Sequence, residues 1–321
     1  MRMGAAALHE NAQRPLIAFS TPMDATPWKR WLLYSPLARI AIFALVTSCL
    51  AFLAQLAFIG LGWSAKAAPL HLRAPGFFLS LVLPTLAAYL FLVLSIERRR
   101  PAELAWHKLL PHGALGIAIG VLLISAVVGV LWLSGSYHVI GTDPDAPWLA
   151  ALLVGGLASA IAEELVFRGI LFRVTEEGLG TWAALAVSAL VFGALHIANR
   201  GATAWTSMAI AIEAGLLLGL IYHVTRSLPL CMGVHLGWNF AQGTVYGIPV
   251  SGARTEGWLV STRTGPDWLS GGSFGAEASV VTVGLSLLCS LALIAVALRR
   301  HTLVAPQFGR VNASAARLSA G

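Results

Sequence analysis

Apolar stretches of about twenty residues recur along the chain, separated by short breaks of Arg, Lys, Pro, Gly and Ser. A hydrocarbon core about 30 Å thick needs roughly 20 apolar residues per helical crossing. Eight stretches meet that length: 37–63, 75–96, 113–134, 147–173, 181–199, 203–223, 228–247 and 277–298. The pattern predicts an all-α, polytopic transmembrane bundle of about eight spanning helices, multi-pass in the cell (inner) membrane. Between the fifth and sixth stretches, around Asn199 to Thr203, Arg200 is the only clear polar break, so seven spans or a re-entrant pair is the alternative reading.

Composition agrees with the pattern. Of 321 residues 57% are hydrophobic and 11% charged, too apolar for an ordinary soluble domain. The net charge of +7 suggests nucleic acid until the basic residues are assigned to sides. With the N-terminus inside, Arg2, Arg14, Lys29, Arg30, Arg98, Arg99, Arg100, Lys108, Arg173, Arg226, Arg299, Arg300, Arg310 and Arg317 share one side. Lys66, Arg73, Arg200, Arg254 and Arg263 face the other. That bias predicts both termini in the cytoplasm, with the lipid bilayer and no nucleic acid as partner. The first 30 residues lack the apolar segment of a signal peptide. Cys49, Cys231 and Cys289 lie in apolar runs without metal or disulfide spacing and read as small buried hydrophobes.

The chain reads as one membrane domain, 37–298, between a cytoplasmic N-terminal segment, 1–36, and a disordered cytoplasmic tail, 299–321. Asn312-Ala-Ser has the form of a glycosylation acceptor, a chance match on that side. The connection 247–275, rich in Gly, Ser and Thr and carrying Trp258 and Trp268, predicts an interfacial flap. Gly116-xxx-Gly120 and Gly215-xxx-Gly219 have the spacing of close helix packing.

Against this apolar background the segment AEELVFRG, 162–169, is anomalous. A charge at mid-bilayer costs about 2.5–3.5 kcal/mol on the insertion scale, so Glu163, Glu164 and Arg168 need compensation. Glu164 and Arg168 are four apart and share a helical face, which predicts an ion pair; Glu163 points about 100° away and is left for another partner. Helical spacing also pairs Phe192 with His196 and His235 with Asn239. These residues, on three spans, are the expected partners of Glu163. A carboxylate beside a histidine can act as general base on water, and an amide with a second histidine can donate to an oxyanion. Glu163, His196 and His235 could instead hold Zn2+ and activate its water, although HExxH is absent. The same groups also suit a proton-coupled transporter or a membrane scaffold. Glu213 is a further intramembrane carboxylate that could line the cavity or pair with His223.

The order and spacing of Glu163-Glu164-xxx-Arg168, Phe192-xxx-His196 and His235-xxx-Asn239 resemble the motifs of CAAX-protease and bacteriocin-processing (CPBP) intramembrane proteases, which include type II CAAX prenyl endopeptidases. The likeness covers a core of about 147–285. The resemblance implies an intramembrane endopeptidase, metallo- or glutamate-dependent, acting on a peptide or protein substrate at the membrane. It implies Glu163 as the base that activates water with help from His196, Glu164 and Arg168 as a supporting pair, and His235 and Asn239 as oxyanion-side donors.

Overall fold

The computed structural model of the chain describes residues 26–65 and 67–306. Arg2, Arg14, Lys66, Arg310, Arg317 and the Asn312 acceptor lie outside them, as do most of the predicted N-terminal segment and of the tail. Six helical runs are long and apolar enough to cross a membrane: α1 (Pro36–Gly60), α2 (Leu70–Ile96), α3 (Trp106–Leu133), a 51-residue run Trp148–Ala198, α6 (Ala204–Thr225) and α8 (Val280–Arg299). At 1.5 Å per residue the 51-residue run would measure about 76 Å, more than twice the hydrocarbon thickness. It breaks at Gly180, whose φ of 80° lies outside the helical region, into α4 (148–179) and α5 (181–195). The predicted seventh stretch is helix α7 (Leu228–Phe240) continued by a wider turn, Ala241–Val245, and it is outside the six.

Local signals set the helix starts. Ser35 accepts from Ala38 N and precedes Pro36; Thr203 and Thr206 cap each other's backbone before α6; Ser227 accepts from Leu230 N and Ser279 from Val281 N. Helices α2 and α3 begin at Leu70 and Trp106, ahead of the apolar stretches at 75 and 113, and run on through Pro75 and Pro111. Cys231 is buried as expected, whereas Cys289 is half-buried and Cys49 is exposed on the outer helix.

The helices are unequal. In its most apolar window α1 buries 6% of its residues, α6 61%, so α6 is the central helix and α1 lies at the periphery. The main core joins Tyr89 and Leu92 of α2, Leu165 and Phe172 of α4, Leu220 and Tyr222 of α6 and Val234 of α7. Along α3 and α7 the backbones touch. A Cβ added at Gly116 would sit 2.3 Å from Leu230 O, at Gly120 2.1 Å from Val234 O, and at Gly237 2.4 Å from Ile117 O. The small-xxx-small spacing in α3 therefore has its partner in α7. The second such pair is unequal: a Cβ at Gly215 would meet Ala189 Cα at 2.7 Å, one at Gly219 only Leu185 Cδ2 at 3.3 Å.

The flap contains a strand that periodicity did not reveal. Strand β2 (Leu259–Arg263) pairs antiparallel with β1 (Tyr137–Thr142), from Tyr137 opposite Arg263 to Thr142 opposite Leu259, with an irregularity between Val139 and Gly141. The chain after α8 stays on the fold as far as it is described. Thr181 N donates to Val304 O at 3.0 Å and Val304 N to Thr181 Oγ1 at 2.8 Å. Thr302 meets His223 at 3.1 Å, within the stretch 299–306 that the expected disordered tail includes.

Where α2 passes to α3, a charge network ties α1, α2 and α4 together. Glu97 meets Arg39 at 3.3 Å, Arg173 at 3.0 Å and Arg99 at 2.9 Å. Glu103 takes Tyr89 Oη at 2.5 Å and Arg99 through both of its oxygens, at 2.6 and 2.9 Å. Burial alone would raise the Glu103 carboxyl, but the Arg99 hydrogen bond and the charges of Arg173 and Arg99 outweigh it and hold it below its ordinary value.

Candidate functional site

Helix α4 carries the three charged residues of AEELVFRG at adjoining but different angles. Arg168 Nη1 donates to Glu164 Oε1 at 2.9 Å, with both side chains fully buried, so the expected i, i+4 pair is present. Arg168 Nη2 continues to the carbonyls of Ala214 (2.5 Å) and Gly215 (3.1 Å), fastening α4 to α6. Its guanidinium also lies 5.1 Å from the centre of the Phe192 ring.

Phe192 sets the place of His196. Its ring stacks on the imidazole with centroids 4.7 Å apart, while Phe167 meets it edge-on at 4.7 Å. His196 Nδ1 lies 2.7 Å from Phe192 O, and a carbonyl only accepts, so Nδ1 carries the proton and Nε2 keeps a lone pair. The FxxxH spacing thus fixes both ring position and tautomer.

His235 corrects the expected pairing. Its Nδ1 lies 2.9 Å from Glu164 Oε1, the oxygen already held by Arg168, and not on Glu163. Arg168, Glu164 and His235 therefore form a line from α6 through α4 to α7. Asn239, one turn further, donates from Nδ2 to Gly155 O at 3.2 Å. His223, the suggested partner of Glu213, is instead 2.7 Å from Glu176 Oε1, beside the Glu176–Arg226 pair.

Glu163 is half-buried, and its Oε2, screened from solvent, has no hydrogen-bond partner. It lines a cavity of about 780 Å³ together with His196, His235 and Asn239. The cavity wall also includes Ser159, Asn199 and the loop from Val250 to Glu256. The four residues expected to converge thus share one cavity, without direct hydrogen bonds between Glu163 and the others. Asn199 Nδ2 donates to Ser251 O at 2.9 Å, which secures the loop to the end of α5.

A second, smaller chamber adjoins it. It is lined by Glu213 of α6, Glu277 and Leu217, and shares His196, His235, Asn239 and Ser251 with the large cavity. Glu277, just before α8, accepts from Ser251 N at 2.6 Å and Ser251 Oγ at 3.2 Å. Burial pushes its carboxyl above the ordinary range, against hydrogen bonds from Ser251 and Gln242 that pull it down. Ser251 and Glu277 are outside the expected set: a carboxylate at the edge of a predicted span looks like an ordinary boundary residue, and a loop serine carries no periodicity.

A zinc ion needs three or four converging ligands. Among the described residues no group of three His, Cys, Asp or Glu side chains is placed to hold a metal ion. Glu163, His196 and His235 line one cavity without standing as a converged set of ligands.

No curated protein and no solved structure matches the chain. Residues 145–241, which run from just before α4 past Asn239, match the family model described as Rce1-like, type II CAAX prenyl endopeptidase Rce1-like, so this segment of the chain is similar to that family.

Proposed function

We propose that the protein is an intramembrane endopeptidase that hydrolyses membrane-associated or lipid-tethered peptides, with Glu163 as the base that activates water. The observation that carries this reading is the unpartnered Glu163 carboxylate facing a cavity that His196, His235 and Asn239 also line. A carboxylate kept only for packing would be matched by a cation, as Glu164 is by Arg168. The match to an endopeptidase family over this segment supports the same reaction class.

In this reading Glu163 takes a proton from a water in the cavity as the water oxygen attacks the scissile carbonyl carbon. His196 Nε2, with its lone pair free, accepts the water's other hydrogen and orients it. The carbonyl oxygen becomes an oxyanion, which the Asn239 amide stabilises by donation. His235 gives its Nδ1 hydrogen to Glu164, so it offers a second N–H from Nε2 only as the imidazolium. Collapse of the intermediate breaks the C–N bond, and the proton on Glu163 passes to the leaving amine. Glu164 and Arg168 hold the His235 ring and do not touch the substrate.

The test uses protein reconstituted in nanodiscs with two fluorescence-quenched probes: a prenylated peptide, the substrate class in the family's name, and an unprenylated membrane-anchored peptide. Cleavage of either by wild type, lost in folded Glu163→Gln, is the expected result. Cleavage at the wild-type rate by Glu163→Gln would refute the assignment.

A further inference from the structure

The small chamber is absent from the mechanism above, yet His196, His235 and Asn239, which that mechanism uses, form part of its wall. It has a volume of about 30 Å³. A site needs roughly 10–15 Å³ to hold a water, so there is room for an internal one. Its polar lining is asymmetric. Glu277 is engaged by Ser251 through both oxygens, whereas Glu213, 6% exposed, has an Oε2 that is buried and without a partner. No protein donor reaches that oxygen, although burying it unsatisfied costs about 1–3 kcal/mol or more. The charged groups around it are Glu277 from the segment before α8, His196 from the end of α5, His235 from α7 and Arg168 from α4. Arg168 spends its Nη1 and Nη2 on Glu164, Ala214 O and Gly215 O.

We infer that the chamber between α6, α7 and the Glu277 segment binds an internal water held by Glu213, and that Glu213 is a positioning residue acting through this water on the His196 and His235 side of the hydrolytic site. The inference rests on the hydrolase reading for its effect on rate but not for the water itself. A water has two hydrogens to give and two lone pairs to fill. It gives one hydrogen to the Glu213 carboxylate and leaves the rest of its capacity for the His196, Asn239 or Ser251 groups on the shared wall. The rings between the chambers are thereby braced on one face by water and on the other by the substrate cavity. Leucine at 213 would fill the chamber and expel the water, whereas glutamine keeps a carbonyl oxygen in its place.

The experiment compares wild type, Glu213→Leu and Glu213→Gln in nanodiscs by infrared difference spectroscopy in ordinary and 18O-labelled water, alongside kcat and KM for the quenched peptides. We expect a bound-water O–H band that shifts with 18O in wild type and Glu213→Gln and is missing in Glu213→Leu. We expect kcat to fall about tenfold in Glu213→Leu with KM unchanged, and to be largely rescued in Glu213→Gln. An unchanged band or an unchanged kcat in folded Glu213→Leu overturns the proposal. So does a Glu213→Gln variant that keeps the band but loses as much rate, because the role then belongs to the charge. Should Glu213→Leu fail to fold, Glu277→Ala takes its place: removing the carboxylate leaves the Ser251 N–H and Oγ–H as new donors to the water, so the band must shift in frequency, and an unmoved band overturns the inference. If wild type cleaves neither probe, the hydrolase reading fails while the spectra still decide the water site.

Discussion

Two buried charge clusters divide this molecule, and they handle their carboxylates in opposite ways. In the network at the α2–α3 connection, Glu97 and Glu103 have both oxygens occupied, by Arg39, Arg99, Arg173 and Tyr89. In the cavity region Glu163 and Glu213 each keep an Oε2 that is buried and bonded to nothing in the protein. Burial alone does not separate them, since Glu97 is as deeply enclosed as Glu213. What differs is saturation. A matched carboxylate holds helices together, and an unmatched one retains lone pairs for a ligand or a proton.

That contrast makes opposite predictions for the same kind of substitution. Glu163→Gln should lower cleavage by about 10²–10⁴-fold, the usual share of a general base, while the melting midpoint in detergent holds or rises because an uncompensated charge is gone. A falling midpoint with cleavage intact would place Glu163 among the matched carboxylates instead. Glu103→Gln should do the reverse. Taking the Glu103 charge away from Arg99 and Arg173 costs about 3–5 kcal/mol of stability, read as a lower midpoint, with the rate per folded molecule retained. Smaller still, Gly120→Ala should cost about 1–3 kcal/mol by forcing α3 off α7, and an unchanged midpoint would show that the backbone contact is not tight. The smallest effect is on pH. Because the folded Glu103 carboxyl lies below its unfolded value, its contribution is complete above about pH 4.3 and is lost as pH falls through the folded value. The acid limb of a stability profile should therefore flatten in Glu103→Gln.

How far the sequence anticipates this differs between the bundle and the site. The helical class follows from runs of apolar residues alone, because no other backbone satisfies itself in lipid at that length. The starts of α2 and α3, at Leu70 and Trp106, precede the predicted stretches, because hydropathy marks the apolar run and not the polar first turns that carry His71, Arg73, His107 and Lys108. Within one helix, spacing is reliable: the Glu164–Arg168 pair and the Phe192–His196 stack both lie four residues apart. Between helices it is not. Which of two adjacent glutamates receives His235 depends on the rotation of α4 against α7, and that rotation is set by the glycine contacts of α7 with α3 and by Arg168 reaching α6. Glu277 reaches the chamber from a single 3-10 turn, Ala276–Ala278, too short to show a periodicity. The pairing of β1 with β2 joins segments more than a hundred residues apart and is equally silent.

The glycine contact between α3 and α7 also bears on what counts as the unit of this protein. The segment that matches the family, 145–241, includes α7 but not α3. Yet Gly233 and Gly237 on either side of His235 have no room for a side chain, because the α3 backbone at Gly113 and Ile117 fills it. A fragment cut to the matched boundaries would expose bare main chain beside the histidine and lose the surface that fixes its depth. The portable part is accordingly larger than the matched part: grafting this site onto another scaffold would require α3 to travel with it.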